Sequence, residues 1–218
     1  MKLINNIYIF SKILFHSFIF LLNPKSFKEY QFAPFDILKP LHTTAGDKLK
    51  DLLRYFENCS DIEVRISDGS LLGILRDGKL IEHDNDIDFD LVWSKRSEKI
   101  IKKLSQDKNW KLIRKVTYKG RIQQLSYYDD LEIIYDFIFW SLDERFAINF
   151  SEPHCYRIMK EEFLTKLVKE NIEGFDYLVP QAKLEWLNYR YGKNWKFPEN
   201  SKKDWKIDCG DLGNAWWL

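Results

Sequence analysis

Aspartates occur at every second position in one short segment of the chain, HDNDIDFDL: Asp84, Asp86, Asp88 and Asp90. In a β-strand, residues two apart point to the same side, so the carboxylates from Asp86 to Asp90 are predicted to share one face. Such carboxylates repel one another, but two that lie about 6–7 Å apart along a strand can bind the same divalent cation. The spacing therefore predicts a metal site. Mg²⁺ suits it because its open coordination positions accept phosphate oxygens of a substrate.

An acidic run of this kind also occurs in calcium-binding EF-hand loops and in solvated edge strands. An EF-hand loop that starts at Asp84 needs glycine at its sixth position and glutamate at its twelfth, where this chain has Phe89 and Lys95. The EF-hand is therefore excluded. A strand at the edge of a sheet, decorated with charges that prevent pairing with other strands, is the structural alternative that stays open.

The residues before the acidic run predict a place for a phosphate. Gly69 and Ser70 follow a predicted strand, IEVRIS, and open a predicted helix, SLLGIL. Glycine lets the backbone approach a ligand, and the amides at the start of a helix, with the Ser70 hydroxyl, favour an anion. Arg76 is either a bidentate partner of a donor phosphate or the partner of a nearby surface carboxylate, Asp77 or Glu82.

One further aspartate stands alone among apolar residues. Asp136 lies in IIYDFIF, within a predicted strand. A buried carboxylate is unfavourable there unless a cation or hydrogen bonds compensate for its lost hydration. This cost favours a role for Asp136 in the same site as the acidic run.

The elements that must position these residues follow from hydrophobic periodicity. A threonine, Thr43 or Thr44, can cap a helix through KLKDLLRYFENC, and a second helix is predicted from Ser94 to about Asp107. Three strands, WKLIRKVTY, RIQQLSYY and LEIIYDFIFW, are separated by turn residues such as Gly120, which predicts a meander.

The C-terminal part is predicted to be mostly helical. The helical pattern runs from Lys160 to Tyr191 with a break at Gly174, and Pro180 is suited to the start of the helix that carries AKLEWLNYRY. Helices and strands are thus mixed along the chain without internal repeats. The fold class predicted from this order is α+β or mixed α/β.

Composition limits the classes of function. The chain has 218 residues, 45% of them hydrophobic, which is enough for one globular domain. With 34 Lys and Arg against 33 Asp and Glu, the formal net charge is +1, so no global field attracts nucleic acid. The cysteines Cys59, Cys155 and Cys209 are odd in number and far apart, which is typical of reduced thiols in a cytosol.

Residues 1–23 form the only long apolar stretch. Lys12 and His16 interrupt it before it reaches the roughly 20 residues that a spanning helix needs. The pattern predicts an amphipathic helix that either packs on the domain or lies in a membrane interface. The remaining predicted divisions of the chain are a proline-containing linker at 24–42, one domain at 43–200 and a tail at 201–218.

Together these motifs resemble known signatures. A Gly-Ser turn that opens a helix, followed by a strand with Asp-x-Asp, is similar to the nucleotidyltransferase fold of polymerase-beta-like enzymes. The string DGSLLGILRDGKLIEHDNDIDFDL resembles the signature of the LicD/fukutin family, approximately G-[TS]-L-L-G-x-x-R, a glycine-containing hairpin and I-P-W-D-x-D-x-D. IIYDFIFW and EGFDYLVPQAKLEWLNYRYGKNWKFP resemble later parts of that family, so the resemblance covers about residues 44–198.

The resemblance implies a fold, a reaction and site residues. The fold is a nucleotidyltransferase-like mixed sheet flanked by helices. The reaction is transfer of a phosphorylated alcohol, such as phosphocholine or ribitol phosphate, from a CDP-linked donor to a glycan or its lipid-linked precursor, with Mg²⁺ or Mn²⁺. The implied metal ligands and catalytic residues are Asp86, Asp88 and Asp136, and the implied substrate-binding residues are Gly69, Ser70 and Arg76.

The chain departs from the family pattern at two places. Glu82 and His83 stand where Pro-Trp is usual, and Asp68 precedes the Gly-Ser turn where a small or aromatic residue is usual. These departures bear on donor recognition more than on metal binding.

Two alternatives stay open: an enzyme that transfers NMP to a protein or small molecule, and a non-enzymatic module whose acidic strand holds an ion or a basic partner. The expected location is the cytoplasm, with peripheral contact at the inner membrane face through residues 1–23.

Overall fold

The computed structural model of the chain describes residues 26–32, 39–59, 62–150 and 157–198. In these residues a mixed β-sheet is combined with helices in an α+β fold. The strands are β1 (Phe27–Gln31), β2 (Val64–Ile66), β3 (Asp86–Val92), β4 (Lys111–Tyr118), β5 (Arg121–Tyr128), β6 (Ile134–Asp143), β7 (Phe146–Asn149), β8 (Arg157–Lys160), β9 (Leu167–Ile172) and β10 (Phe175–Pro180). The helices are α1 (Ala45–Glu57), α2 (Asp68–Asp77), α3 (Lys95–Asp107), α4 (Glu162–Thr165) and α5 (Lys183–Tyr191).

The main sheet has the strand order β1-β4-β5-β6-β3-β2, with β7 paired to the end of β6 and β8 paired to β7. Strands β4, β5 and β6 are antiparallel neighbours, which confirms the predicted meander. Strand β3, which carries the acidic run, is parallel to β6 on one side and antiparallel to β2 on the other. Strand β2 pairs only with Phe89–Leu91, but Asp88 and Asp90 are buried, which excludes a solvated edge strand as the explanation of these aspartates.

Helix α1 covers the apolar face of β3. The side chains of Phe89 on β3 and Phe137 on β6 stack at 5.1 Å, and Phe56 of α1 packs edge-on against them at 6.1 and 6.3 Å. Burying a side chain of this size stabilises the fold by about 1.5–3 kcal/mol. The predicted helix after Thr44 is confirmed, and the carboxylates of β3 are left on the opposite face of the sheet.

Helix α3 begins at the residue that the sequence indicates. Ser94 accepts a hydrogen bond from the Ser97 amide at 2.9 Å, and the Ser97 hydroxyl accepts one from the Ser94 amide at 2.9 Å. This reciprocal cap satisfies amides that the first helical turn leaves without partners. Ile101 and Leu104 are fully buried beneath the helix.

The prediction of a mostly helical segment from Lys160 to Tyr191 is wrong. This segment contains only the short α4 before the hairpin of β9 and β10, and α5 begins at Lys183. Glu173 and Gly174 both have positive φ, 51° and 77°, which is the geometry of a two-residue hairpin turn. The alternating apolar residues of FDYLVP follow the period of a strand, and Pro180 ends that strand instead of opening the helix.

The predicted linker at 24–42 is also partly a strand. Phe27–Gln31 pairs antiparallel with β4 and forms one edge of the main sheet. The predicted helix at 1–23 and the predicted tail at 201–218 lie outside the described residues. Among the residues that are described, no helix has the length and apolar character needed to cross a membrane.

A hydrogen-bonded turn fixes where β6 begins. Asp129 is 5% exposed, and its Oδ1 accepts hydrogen bonds from the amides of Leu131 at 2.9 Å and Ile133 at 3.0 Å. Its Oδ2 accepts a hydrogen bond from the Tyr135 hydroxyl at 2.8 Å. The turn is thereby tied to the first residues of the strand that carries Asp136.

Candidate metal centre and active site

The parallel pairing of β3 and β6 brings three aspartates together. Asp88 lies directly opposite Asp136, and Asp86 lies opposite Ile134. Residues that are paired in a sheet point to the same face, so the three carboxylates meet on the face that α1 leaves uncovered. Carboxylate oxygens of Asp86, Asp88 and Asp136 all lie within 4.8 Å of one another. The structure thus brings together the three residues that the sequence implied as metal ligands.

The electrostatics of this aspartate cluster fit a divalent cation. Burial, followed by the charges of the neighbouring carboxylates, raises the pKa of Asp86 and of Asp88 well above the usual value. Both effects disfavour the charged form, and a bound cation would favour it. A set of three carboxylate oxygens is the ligand chemistry of Mg²⁺ and Mn²⁺. The residues present therefore fit the ion that the sequence pattern predicts.

A chain of hydrogen bonds holds Asp136 from the far edge of the sheet. Gln124 on β5 donates from Nε2 to Asp136 Oδ2 at 2.9 Å. Arg114 on β4 donates to Gln124 Oε1 at 3.1 Å, and its Nε donates to Glu29 on β1 at 2.8 Å. Outer partners of this kind orient metal ligands. Sequence analysis missed all three residues, since their partners become neighbours only when the strands pair.

The Gly-Ser motif packs directly against the aspartate cluster. A Cβ added to Gly69 would lie 2.4 Å from Asp84 Oδ2 and 3.9 Å from Asp88 Oδ2, so a larger side chain there requires the Asp84 carboxylate to shift. Ser70 is 1% exposed, and its Oγ accepts a hydrogen bond from the Asp88 amide at 3.0 Å. Ser70 thus anchors α2 to β3 just beyond the end of β2. Contact of either residue with a phosphate stays a prediction.

Asp90 is separated from the cluster although it continues the alternating run. It is 2% exposed and accepts hydrogen bonds from Arg65 Nη2 at 2.5 Å and from Trp140 Nε1 at 2.7 Å. Its charge is therefore balanced by a buried guanidinium. The alternating pattern alone does not distinguish this structural aspartate from the candidate metal ligands.

Arg76 forms an ion pair with its neighbour on α2. Its Nε and Nη2 donate to Asp77 at 2.7–3.0 Å, whereas Glu82 pairs with Lys79. Of the two arrangements expected from the sequence, the described contacts show the surface pair. A role for Arg76 in donor binding stays a prediction.

Asp68, the residue that departs from the family pattern, joins two arginines from the C-terminal part. Arg157 Nη2 donates to Oδ2 at 2.7 Å and to Oδ1 at 3.0 Å, and Arg190 Nε donates to Oδ1 at 2.7 Å. Burial alone would raise the pKa of Asp68, but the two guanidiniums outweigh it and hold the pKa well below the usual value. Sequence analysis missed both arginines.

Comparison with known proteins finds a family model that spans the aspartate cluster. The model of the LicD/FKTN/FKRP nucleotidyltransferase domain matches residues 61–182, which is more than half of the chain and includes the whole aspartate cluster. No curated protein sequence matches the chain. A crystal structure of a lincosamide antibiotic adenylyltransferase with lincomycin bound is among the similar solved structures. It is 13% identical, covers 82% of this chain and 98% of its own, and has a TM-score of 0.48.

The family match confirms the predicted family resemblance and the predicted fold. The α+β fold is that of a nucleotidyltransferase domain, in agreement with the mixed sheet and its helices. Membership also supports a transferase with a phosphotransferase-type role on glycans, whose acidic cluster can hold a metal ion. The chain belongs to the LicD/FKTN/FKRP family.

Proposed function

We propose that this protein is a metal-dependent phosphotransferase. It would move a phosphorylated alcohol, phosphocholine or a polyol phosphate, from a CDP-linked donor to a hydroxyl of a cell-surface glycan or of its lipid-linked precursor. The observation that carries the proposal is the convergence of Asp86, Asp88 and Asp136 within 4.8 Å in a chain of the LicD family. An acidic cluster on adjacent strands suits reactions in which anionic phosphates must be held close to a nucleophile.

In this proposal the three aspartates would hold Mg²⁺ or Mn²⁺. The bound ion would neutralise charge on the donor phosphates. Asp86 and Asp88 lie where β3 pairs with β6, and the Asp88 amide also donates to Ser70 Oγ, which gives them a rigid support. Asp136 completes the ligand set, and its hydrogen bond from Gln124 at 2.9 Å fixes the direction of its carboxylate.

The proposed reaction is one in-line displacement at phosphorus. An oxygen of the acceptor hydroxyl forms a bond to the phosphorus that bears the alcohol, and the bond from that phosphorus to the oxygen of CMP breaks. The hydroxyl proton passes to solvent through the carboxylate cluster. The products are a phosphodiester on the glycan and free CMP, so charge moves onto the leaving phosphate in the transition state.

Release of CMP tests the proposal directly. The full chain would be incubated with a panel of CDP-linked alcohols, including CDP-choline and CDP-ribitol, together with glycan acceptors and Mg²⁺ or Mn²⁺. CMP release that needs a metal, an acceptor and Asp88 is the expected result. Pyrophosphate release from a nucleoside triphosphate would show NMP transfer instead, and absence of metal-dependent nucleotide binding would favour a binding module.

We further propose that residues 1–23 hold the enzyme at a membrane surface where a lipid-linked acceptor resides. Apolar area and the charges of Lys2 and Lys12 would together favour anionic lipids. Deletion of residues 2–23 should abolish co-sedimentation with anionic vesicles and leave the melting temperature almost unchanged. A large drop in melting temperature, without vesicle binding by the full chain, would place this segment in the protein core instead.

A further inference from the structure

The two arginines on Asp68 come from elements that are distant in sequence. Asp68 starts α2, Arg157 starts β8 and Arg190 lies in the last turn of α5. The side chains of Asp68, Arg157 and Arg190 are 12%, 17% and 18% exposed. They are therefore held firmly by the protein yet still reach solvent.

Aromatic rings support both guanidiniums. The guanidinium of Arg157 lies 5.2 Å from the centre of the Trp140 ring, and that of Arg190 lies 5.7 Å from the centre of the Tyr191 ring. Stacking of this kind fixes the plane of the guanidinium and reduces the entropy that it loses when it binds an anion. The hydroxyl of Tyr189 on α5 also donates to the backbone oxygen of Ile158 on β8, which ties the two elements together.

This arginine pair, Arg157 with Arg190, is adjacent to the aspartate cluster. Gly69 follows Asp68 directly, and a Cβ on Gly69 would lie 3.9 Å from Asp88 Oδ2. Besides burial, the charges of Asp68 and then of Asp88 raise the pKa of Tyr191, the residue after Arg190. The arginine pair therefore lies near Asp88, one of the three carboxylates that would hold the metal.

Guanidiniums that converge on one carboxylate can also converge on a phosphate. A carboxylate and a phosphate both present adjacent oxygens that match the planar fork of arginine. Arg157 and Arg190 already share Asp68 Oδ1 as an acceptor, which shows that their geometry suits a single anionic group. The sequence-predicted candidate, Arg76, instead directs Nε and Nη2 to Asp77.

We propose that Arg157 and Arg190 form the subsite for the diphosphate of the donor, and that Asp68 positions them. This proposal rests on the proposed function, since it assigns residues to the diphosphate of the CDP-linked donor. The arginines would stabilise the charge that develops on the leaving phosphate.

Inorganic pyrophosphate is the probe because it carries the diphosphate without base or alcohol. Its affinity would be measured by calorimetry at fixed free Mg²⁺ for the full chain and for Arg157→Gln and Arg190→Gln. Each variant should bind pyrophosphate at least about tenfold more weakly, as expected for loss of a charged hydrogen-bonding group. The matched control is Arg54→Gln, which removes an exposed arginine paired with Asp51 on α1 and should change nothing.

Melting temperatures separate binding from folding. If Arg157→Gln does not fold, Arg157→Lys keeps the charge but loses the planar fork, and it should bind pyrophosphate several-fold more weakly than the wild type. Folded variants whose pyrophosphate affinity stays within about twofold of the wild type would show that the arginines only connect β8 and α5 to α2. That result overturns the subsite.

Failure of the subsite and failure of the proposed function give different results. If pyrophosphate binding depends on both arginines but no CDP-linked alcohol yields CMP, the subsite stands and the proposed donor is wrong. If CMP is released and the donor KM of Arg157→Gln and Arg190→Gln equals that of the wild type, the reaction stands and the subsite is wrong. A raised donor KM with CMP release supports both.

Discussion

Asp88 and Asp90 have the same side chain, strand and sheet face, but different surroundings. Asp88 lies among other carboxylates, so its charge is unfavourable in the absence of a cation. Burial raises the pKa of Asp90 as well, but the buried Arg65 lies 2.5 Å away and favours its charged form. Substitution by asparagine should therefore have opposite effects on the stability of the fold at the two positions.

The pair Asp88→Asn and Asp90→Asn tests this difference. Asp88→Asn should lower turnover by more than about 100-fold, since a metal ligand is lost, while the melting temperature in EDTA stays the same or rises. Asp90→Asn should destabilise the fold by about 3–5 kcal/mol because Arg65 is left buried without its counter-charge. Thermal unfolding and CMP release would be measured for both, with the exposed Asp51→Asn as control. A folded, fully active Asp88→Asn variant would contradict the assigned site.

Gly69 and Gly46 provide a second comparison. Gly69→Ala places a methyl group 2.4 Å from Asp84 Oδ2, so the Asp84 carboxylate must shift beside the aspartate cluster, and Mn²⁺ affinity should fall by about tenfold or more. Gly46→Ala adds a methyl group in open space on α1 and should stabilise the protein by about 0.4–1 kcal/mol. Calorimetric titration with Mn²⁺ checks the first change, and denaturant unfolding checks the second. Unchanged Mn²⁺ affinity in Gly69→Ala would show that the close contact has no role in the site.

The site depends on strands that are far from the candidate metal ligands. The hydrogen bonds from Glu29 through Arg114 and Gln124 to Asp136 cross β1, β4, β5 and β6. A hydrogen bond transmits orientation only if each partner is itself held in place, as it is within a sheet. Strand β1 thus contributes to the site although it lies at the opposite edge.

Removing the central link should weaken metal binding without unfolding the protein. Gln124→Leu keeps a side chain of similar size but cannot donate to Asp136, so Mn²⁺ affinity should fall by about 10–100-fold. Calorimetric titration with Mn²⁺ is the measurement, and the exposed Gln106→Leu on α3 is the control. An equal Mn²⁺ affinity for both variants would show that Gln124 does not orient the ligand.

The sequence predicted local features of these elements better than their contacts. The acidic strand, the helix starts after Thr44 and Ser94, and the meander follow from spacing within about ten residues, and all are present. The sequence does not indicate the hairpin at Glu173 and Gly174, because its turn uses glutamate at positive φ, where asparagine or glycine is usual. Arg157 and Arg190 lie 89 and 122 residues from Asp68, so no pattern in the sequence indicates that they meet it.

For the whole molecule, the aspartate cluster makes stability depend on pH in an unusual direction. The folded pKa values of Asp86 and Asp88 are raised above the unfolded value of about 3.9, so the folded state binds more protons than the unfolded state. The metal-free protein should therefore lose stability as pH rises from about 4 through the raised pKa values. Asp68 has the opposite effect on stability because its folded pKa is lowered. Its contribution to stability is lost as pH falls below about 4.

Melting temperatures in EDTA and in Mn²⁺ check this prediction between about pH 5 and pH 8. In EDTA the melting temperature should fall with rising pH, and Asp86→Asn should reduce the slope. In Mn²⁺ the melting temperature should rise with pH, since deprotonated ligands bind the ion more tightly and binding stabilises the folded state. A metal-independent pH profile would show that the cluster does not bind the ion.

The turn at Asp129 restricts how the chain can vary in length. Strand side chains alternate with a period of two, so one residue inserted between Ile133 and Asp136 would turn Asp136 towards α1 and bring an apolar side chain to the site. The hydrogen bonds from Leu131, Ile133 and Tyr135 to Asp129 can form together only when this segment has its present length, so they oppose such a shift. Peptide tags and natural insertions are therefore expected at the outer turns of the sheet. In a relative whose segment between Asp129 and Asp136 is one residue shorter, the third aspartate should no longer point to the site.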